Sequence, residues 1–428
     1  MINENARLLQ PTYFREFHCI GSECEDNCCQ QNWVVLVDRK TYKLYRNCRD
    51  PVLKPRLDRA LKRNRKSEND TDYALLDFAQ GGGRCPMLTE DTQCSIHQRL
   101  GEKGLCYTCA AYPRVGILAA GLRQVMGTVS CPELARSALL RPEGIQFEEV
   151  ELPVTGTMAR LRFPQSVNPD QPVHPSDPFF APLRDFTLQM LQHRSLPLWQ
   201  RIATLALFCS LVDQRLDQEQ GASLPALIET FKTMLADGSL MTQLDWLLDT
   251  DATSLQRQVL DMLGDEHVYM GLTQRDAFLK LLLDAWTGLG FLLPDGQHSP
   301  QATDVDFLLS SFRTAAHRHY QPFLRDREYL LENYLVNLAF NMIFPCRPHD
   351  RLFKNLLALV VPYALLRYLL IGVAARHGGL DEAHFIEAVY AFSRGVEHNN
   401  GFLKRMQDLL ERNGYNTPAG LVALVKDI

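Results

Sequence analysis

Ten of the twelve cysteines lie between Cys19 and Cys131, and only Cys209 and Cys346 lie beyond them. A chain of 428 residues exceeds what one hydrophobic core usually organises, so this asymmetry marks a separate cysteine-rich unit at one end. In a reducing compartment such thiols serve metals or catalysis rather than a disulfide framework. They fall into three groups. "HCIGSECEDNCCQQNW" carries Cys19, Cys24, Cys28 and Cys29; "CPMLTEDTQCSIH" carries Cys85 and Cys94; "CYTCAAYPR" carries Cys106 and Cys109, with Cys131 following in "SCPE". Thiolates are soft ligands suited to zinc, copper(I) and iron–sulfur clusters. Here they stand at turns rich in Gly and Pro, where backbone N–H groups can point at sulfur. Only His18 and His97 lie nearby, so a thiol-rich, imidazole-poor set favours iron–sulfur, with structural zinc as the alternative. Cys48, Cys209 and Cys346 read as small buried hydrophobes.

The remaining sequence sets the architecture. The first 161 residues are turn-rich, with short β-like pieces at 33–38, 116–121 and 123–130. The stretch 54–70 reads as a basic amphipathic helix with a solvated face, running into a polar loop. Five prolines in 162–179 mark a linker. Beyond it, apolar residues recur at helical spacing in 197–216, 224–238, 275–290, 327–344 and 380–398, with helix stops at Gly238, Gly290, 344–348 and 377–379. The expected fold is therefore α+β, mainly α: a small loop-rich metal-binding domain over 1–161, a linker over 162–179, and a large all-helical domain over 180–428 that binds the substrate. The longest apolar run, 356–375, is interrupted by Pro362 and Arg367, so it reads as a buried amphipathic helix and not a membrane span. The N-terminus lacks the features of a secretory leader, which points to a cytoplasmic protein. A net charge of −5 gives no overall attraction to nucleic acid or an anionic membrane.

Three stretches in this order, "FHCIGSECEDNCCQQNW", "CPMLTEDTQCSIHQRLGEKGLCYTCAAYPR" and "SCPE", followed by a long helical region, resemble the flagellin lysine-N-methylase family of flagellated enterobacteria. The middle portion also resembles a broader family of cysteine-rich domains described as zinc- or iron-chelating. Carried over residue by residue, the resemblance implies metal ligands among Cys24, Cys28, Cys29, Cys85, Cys94 and Cys109. Cys19 and Cys131 match methylase-type positions outside the broader core, and Cys106 has no position in the pattern. It further implies methylation of flagellin lysines, S-adenosylmethionine as donor, and an iron–sulfur cluster of the four-iron type.

The residues do not show the donor site. No G-x-G-x-x-G follows a strand, and the C-x3-C-x2-C spacing of radical enzymes fails at Gln31. No catalytic residue is assigned. Tyr107 and Tyr112 read as rings packed against the metal site, and Glu328, Glu332 and Tyr334 as an exposed helix face. Two other functions compete: a non-enzymatic, zinc-stabilised module that binds a partner protein, and iron–sulfur electron transfer, which leaves the helical region unexplained.

Overall fold

The computed structural model describes residues 5–30, 34–154, 156–248, 251–264, 276–397 and 400–426; Gln31 and Trp33 of the first cysteine stretch lie outside them. The chain forms two units, the first from 1–117, 122–137 and 147–164, the second from 118–121, 138–146 and 165–428. In chain order the first half of the fold runs β1 (Asn5–Pro11), β2 (Val35–Val37), α1 (Arg39–Arg46), α2 (Leu53–Ala60), β3 (Leu61–Arg63), β4 (Ala74–Leu76), α3 (Ser95–Leu100), α4 (Tyr107–Ala111), β5 (Arg114–Ala119), β6 (Leu122–Gly127), α5 (Pro132–Leu139) and β7 (Phe147–Pro153).

Two small sheets organise the first unit. Alternating burial along β1 puts Ala6, Leu8 and Gln10 inward, the period of two that one buried sheet face requires. β1 pairs antiparallel with β7 along its whole length, from Asn5 opposite Pro153 to Pro11 opposite Phe147, and parallel with β6 through Leu8 and Arg123. The strand order is β7-β1-β6-β5. Gly127 ends β6 where a Cβ would lie 2.6 Å from Leu134 and 2.7 Å from the Tyr13 hydroxyl, so only glycine lets strand and helix approach this closely. The second sheet has the order β2-β4-β3. Val35, Val37, Leu53, Leu57, Leu76, Met87 and Ile96 form its core. The basic helix expected over 54–70 stops at Ala60, because Leu61 and Arg63 are drawn into pairing with Leu76 and Ala74.

The second unit is helical: β8 (Gln165–Val167), α6 (Phe180–Leu191), α7 (Leu198–Asp217), α8 (Leu224–Asp237), α9 (Ser239–Leu248), α10 (Thr253–Gly264), α11 (Asp276–Leu289), α12 (Val305–Ala315), α13 (Gln321–Leu324), α14 (Tyr329–Asn341), α15 (Leu352–His377), α16 (Glu382–Phe392), α17 (Asn400–Arg412) and α18 (Pro418–Val425). β8 pairs in parallel with Leu118 and Ala119. The run expected as an amphipathic helix is α15, long and apolar enough to cross a membrane, and it is buried on every side, as a helix apolar all round must be when it forms the centre of a helical core. Where α11 crosses it, a Cβ on Gly288 would sit 1.9 Å from the Gly372 carbonyl oxygen, so the two glycines set the closeness of the crossing. Arg367 of α15 is buried because its guanidinium donates to the carbonyls of Val425 and Lys426 at the end of α18.

One expectation is overturned. Glu332 and Tyr334 are not on an exposed face: they are 1% and 0% exposed. Glu332 lies between Arg201 (2.7 Å) and Arg194 (2.8 Å), Arg201 also reaches Glu328 (2.9 Å), and the Tyr334 hydroxyl donates to Glu397. Helical periodicity failed here because polar residues that face arginines across a core mimic a solvated stripe. Residues 165–179 are likewise held in place. Asp177, fully buried, accepts from Arg347 at 2.8 Å and from the Val173 and His174 N–H groups.

Removing one partner from a buried ion pair leaves the other uncompensated, at a cost of about 3–5 kcal/mol. Denaturant unfolding of Glu332→Ala should show a loss of that size, and replacing Arg201 by Met together with Glu332 by Leu should recover much of it. Asp177 gives a pH signature. Burial alone would raise its pKa, but the Arg347 guanidinium and two backbone donors outweigh burial and hold it below the ordinary 3.8. Its contribution is therefore present above pH 3.8 and lost as pH falls through the lower folded-state value. Asp177→Asn should be less stable than wild type at pH 7, and the gap should close as unfolding is measured at progressively more acid pH.

Candidate metal centre

Six of the thiols lie in or against the second small core. Cys85 and Cys106 are buried in it, while Cys29, Cys48, Cys94 and Cys109 pack against it half-buried. Two loops are stitched together there. The Cys85 N–H donates to the Cys29 carbonyl at 2.8 Å, the Asn27 side chain accepts from the Cys29 N–H at 2.9 Å, and Gln93 reaches Ser22 at 2.9 Å. Arg56 of α2 clamps the second loop by donating to the carbonyls of Pro86 (2.8 Å) and Leu88 (2.7 Å).

Sulfur meets sulfur at two points. Hydrogen bonding to Cys28 and Cys85 keeps the Cys29 thiol protonated and pushes its pKa far up, and the same bond lowers Cys85 as the acceptor. Likewise Cys109 is raised by its bond to Cys106, by burial and by repulsion from Cys106, Cys85 and Cys28, while Cys106 is lowered. Cys94 is raised by burial and feels Cys85 and Cys28. Cys131 is pushed up to about 12, chiefly by burial and further by Cys24 and Cys28. Cys19 is exposed, and its charge acts on Arg114 together with that of Cys131.

The helices position these sulfurs. Cys94 and Cys106 immediately precede α3 and α4, and Cys131 precedes α5. First-turn N–H groups favour the thiolate electrostatically, those of His97 and Ile96 for Cys94, Cys109 and Thr108 for Cys106, Leu134 and Glu133 for Cys131, although neither Cys94 nor Cys106 makes a side-chain capping hydrogen bond. The Met87 N–H does the same for Cys85. Such donors favour the thiolate that metal binding needs. Asp38 sets the third group by accepting from Thr41 N (2.9 Å) to cap α1 and from Tyr107 N (3.3 Å) at the head of α4. The Tyr45 hydroxyl donates to Gly104 O at 2.9 Å just before Cys106.

Among the described residues no group of three or more His, Cys, Asp or Glu side chains is placed so that it could hold a metal ion. The chemistry of the donor set nevertheless fits a soft metal or an iron–sulfur cluster: Cys28 and Cys29 of the first loop meet Cys85 of the second, and Cys106 and Cys109 pair within the third, each beside N–H groups that favour the thiolate. A cation displacing the thiol protons would relieve the mutual repulsion that now raises Cys29 and Cys109. Cys106, which the sequence pattern leaves without a role, is one half of a sulfur pair; its C-x-x-C spacing to Cys109 was the available signal. Asn27, Asp38, Tyr45 and Arg56 carried no such signal. Tyr107 does not pack against the thiols: its ring joins the first sheet's core beneath Arg162, at 4.3 Å. The Tyr112 hydroxyl lies 3.2 Å from Ser130 Oγ, next to Cys131. Cys209 and Cys346 are buried in the helical unit, as expected of small hydrophobes.

Serine at Cys28, Cys29, Cys85, Cys94 or Cys109 should weaken metal retention by roughly tenfold or more, the scale seen even for groups that only orient ligands. Cys209→Ser and Cys346→Ser should leave it unchanged. Metal analysis with visible absorption reads both classes, and equal loss from both would remove the assignment.

A family model described as the FliB lysine N-methylase C-terminal domain matches residues 184–424, more than half of the chain. The chain is 21% identical over 407 residues to a lysine-N-methylase of Salmonella choleraesuis (strain SC-B67), covering 94% of each, and equally similar to one of Salmonella typhimurium (strain LT2). A flagellar biosynthetic protein FliU of Salmonella muenchen is 27% identical over 140 residues, covering 33% of this chain and 81% of that protein. No solved structure matches. With its C-terminal 241 residues (184 to 424) matched directly and nearly all of its length shared with lysine-N-methylases, the chain belongs to the FliB lysine N-methylase family.

Proposed function

We propose that this lysine N-methylase acts on flagellin with S-adenosylmethionine as donor, and that the thiols of the N-terminal unit hold an iron–sulfur cluster. The observation that carries the reading is the alignment over 94% of both chains to a lysine-N-methylase, taken with six thiols brought to one core. The partial likeness to a flagellar biosynthetic protein supports a flagellar substrate.

In the transfer, a lysine ammonium with an ordinary pKa of about 10.4 first gives up its proton to water. Its nitrogen lone pair then attacks the sulfonium methyl: a C–N bond forms, the C–S bond breaks, and the electron pair stays on sulfur as S-adenosylhomocysteine. A bound cluster would supply iron centres beside the thiols. The chain's own thiols would hold it, and the first-turn N–H groups of α3, α4 and α5 would offset charge on the sulfurs. The helical unit supplies the docking surface for the protein substrate. It carries a cleft of about 680 Å³ lined by both charges, Asp381 and Glu382 with Arg318 and Arg327.

Purified flagellin incubated with the protein and donor should gain whole methyl units on lysine peptides by mass spectrometry. The isolated protein should be brown and release acid-labile sulfide. No mass shift from a fully metal-loaded preparation would overturn the methylase reading on flagellin; colourless protein containing zinc would overturn the cluster.

A further inference from the structure

We infer that a cleft in the N-terminal unit, floored by the β1 and β6 core and edged by Arg114, is the seat of the methyl donor, with the Arg114 guanidinium receiving the donor's carboxylate. The inference rests on the proposed use of S-adenosylmethionine.

The cleft has a volume of about 480 Å³, within the roughly 300–1,000 Å³ typical of small-molecule sites. Its apolar wall is made by Phe14, Val125, Val150, Leu152, Met158 and Leu161, the incompletely covered side of the first sheet's core. A slot of this kind takes a purine or a thioether chain. The polar groups on its rim differ in how far they are already satisfied. Arg15 donates through Nε to both Glu148 oxygens at 2.9 Å, Gln10 reaches Glu148 at 3.2 Å, and the Thr157 hydroxyl donates to Glu102 at 3.0 Å.

Arg114 is the exception. Its guanidinium is half-buried, 5.2 Å from the ring centre of Phe14 and 4.9 Å from that of Phe17. Among the described residues no carboxylate lies within ion-pair distance of it. A cation partly withdrawn from water, held by ring faces and facing a cavity, is completed by a carboxylate that accepts two parallel hydrogen bonds from its fork. The amino-acid end of S-adenosylmethionine supplies that group, and its nucleoside end matches the apolar wall.

Location supports the same ligand. Arg114 follows α4, which begins directly after Cys106, and its charge is felt by Cys131 and Cys19. A ligand anchored there lies in the same unit as the thiols. The clefts of about 680 and 520 Å³ belong to the helical unit, which holds none of the grouped thiols.

The test is calorimetric binding of S-adenosylhomocysteine and of methylthioadenosine, which lacks the amino-acid end, to full-length protein. Wild type should bind the first at least ten times more tightly than the second. Arg114→Met should erase that preference while still binding methylthioadenosine, Arg114→Lys should retain part of it, and Met158→Trp should weaken both ligands at least tenfold by filling the slot. Thermal unfolding and metal content are measured on every variant, so a binding loss that comes with lost folding does not count in support. If wild type binds S-adenosylhomocysteine and none of the folded variants changes it, the site is wrong although the methylase reading stands. If wild type binds neither ligand and flagellin gains no methyl groups, both fall together.

Discussion

The backbone hydrogen bond from the Cys85 N–H to the Cys29 carbonyl, at 2.8 Å, joins loops more than fifty residues apart in sequence, and the organisation of the N-terminal unit depends on it. Each strand of the β2-β4-β3 sheet is three residues long, too short for pairing alone to hold so open a structure. The loops that carry the thiols therefore supply the missing closure. Backbone bonds from Cys85 to Cys29, side-chain bonds from Asn27 and Gln93, and the Arg56 clamp bring the sulfurs together before any ion is considered. The cost falls on half-buried thiols: burial raises Cys94 and Cys131, and hydrogen bonding to neighbouring thiols raises Cys29 and Cys109. For a unit of this kind, the free energy of binding a metal is also free energy of folding.

The helical unit meets the opposite problem. Its core is large enough to be stable by apolar burial, and its polar groups serve to fix which helix lies against which. Glu332 is held by Arg201 from α7 and by Arg194, and Asn333 donates to the carbonyls of Leu139 (3.0 Å) and Arg141 (2.9 Å), so one turn of α14 sets two neighbours. Arg367 does the same for α15 and the end of α18. Each of these groups would be costly to bury alone, and each is bonded in a way only one packing arrangement satisfies.

This contrast explains what could be read from sequence. Period-2 pieces and helical periodicity located β2, β5 and β6 and the helices at 198–217, 224–237, 276–289 and 329–341, because those patterns follow directly from burying one face. Glu332 and Tyr334 were misread for the same reason: periodicity reports polarity, and a polar residue paired across a core looks like one facing water. The end of α2 at Ala60 was set by strand pairing with residues beyond it, which local propensity does not contain. The thiol groups were legible because short spacings between cysteines are rare, whereas Asn27, Asp38, Tyr45 and Arg56 are common residue types whose role exists only once distant loops meet.

Charge around the thiols shows the same division between what is local and what the fold assembles. Sulfurs that bind metal as thiolates accumulate negative charge, and the cysteine motifs contribute few cations of their own. The fold places what there is: Arg56 from α2 acts on Cys85, and Arg114, which closes the third cysteine motif and opens β5, acts on Cys131 and Cys19. The two arginines are used differently. Arg56 spends its donors on the carbonyls of Pro86 and Leu88, so its position is fixed and its charge is a constant background for the site. Arg114 is held only by ring faces, which constrain where it lies without consuming its N–H groups. An arginine restrained in that way keeps its hydrogen-bonding fork available, and it stands at a rim of the unit where thiol charge and an apolar cleft coincide.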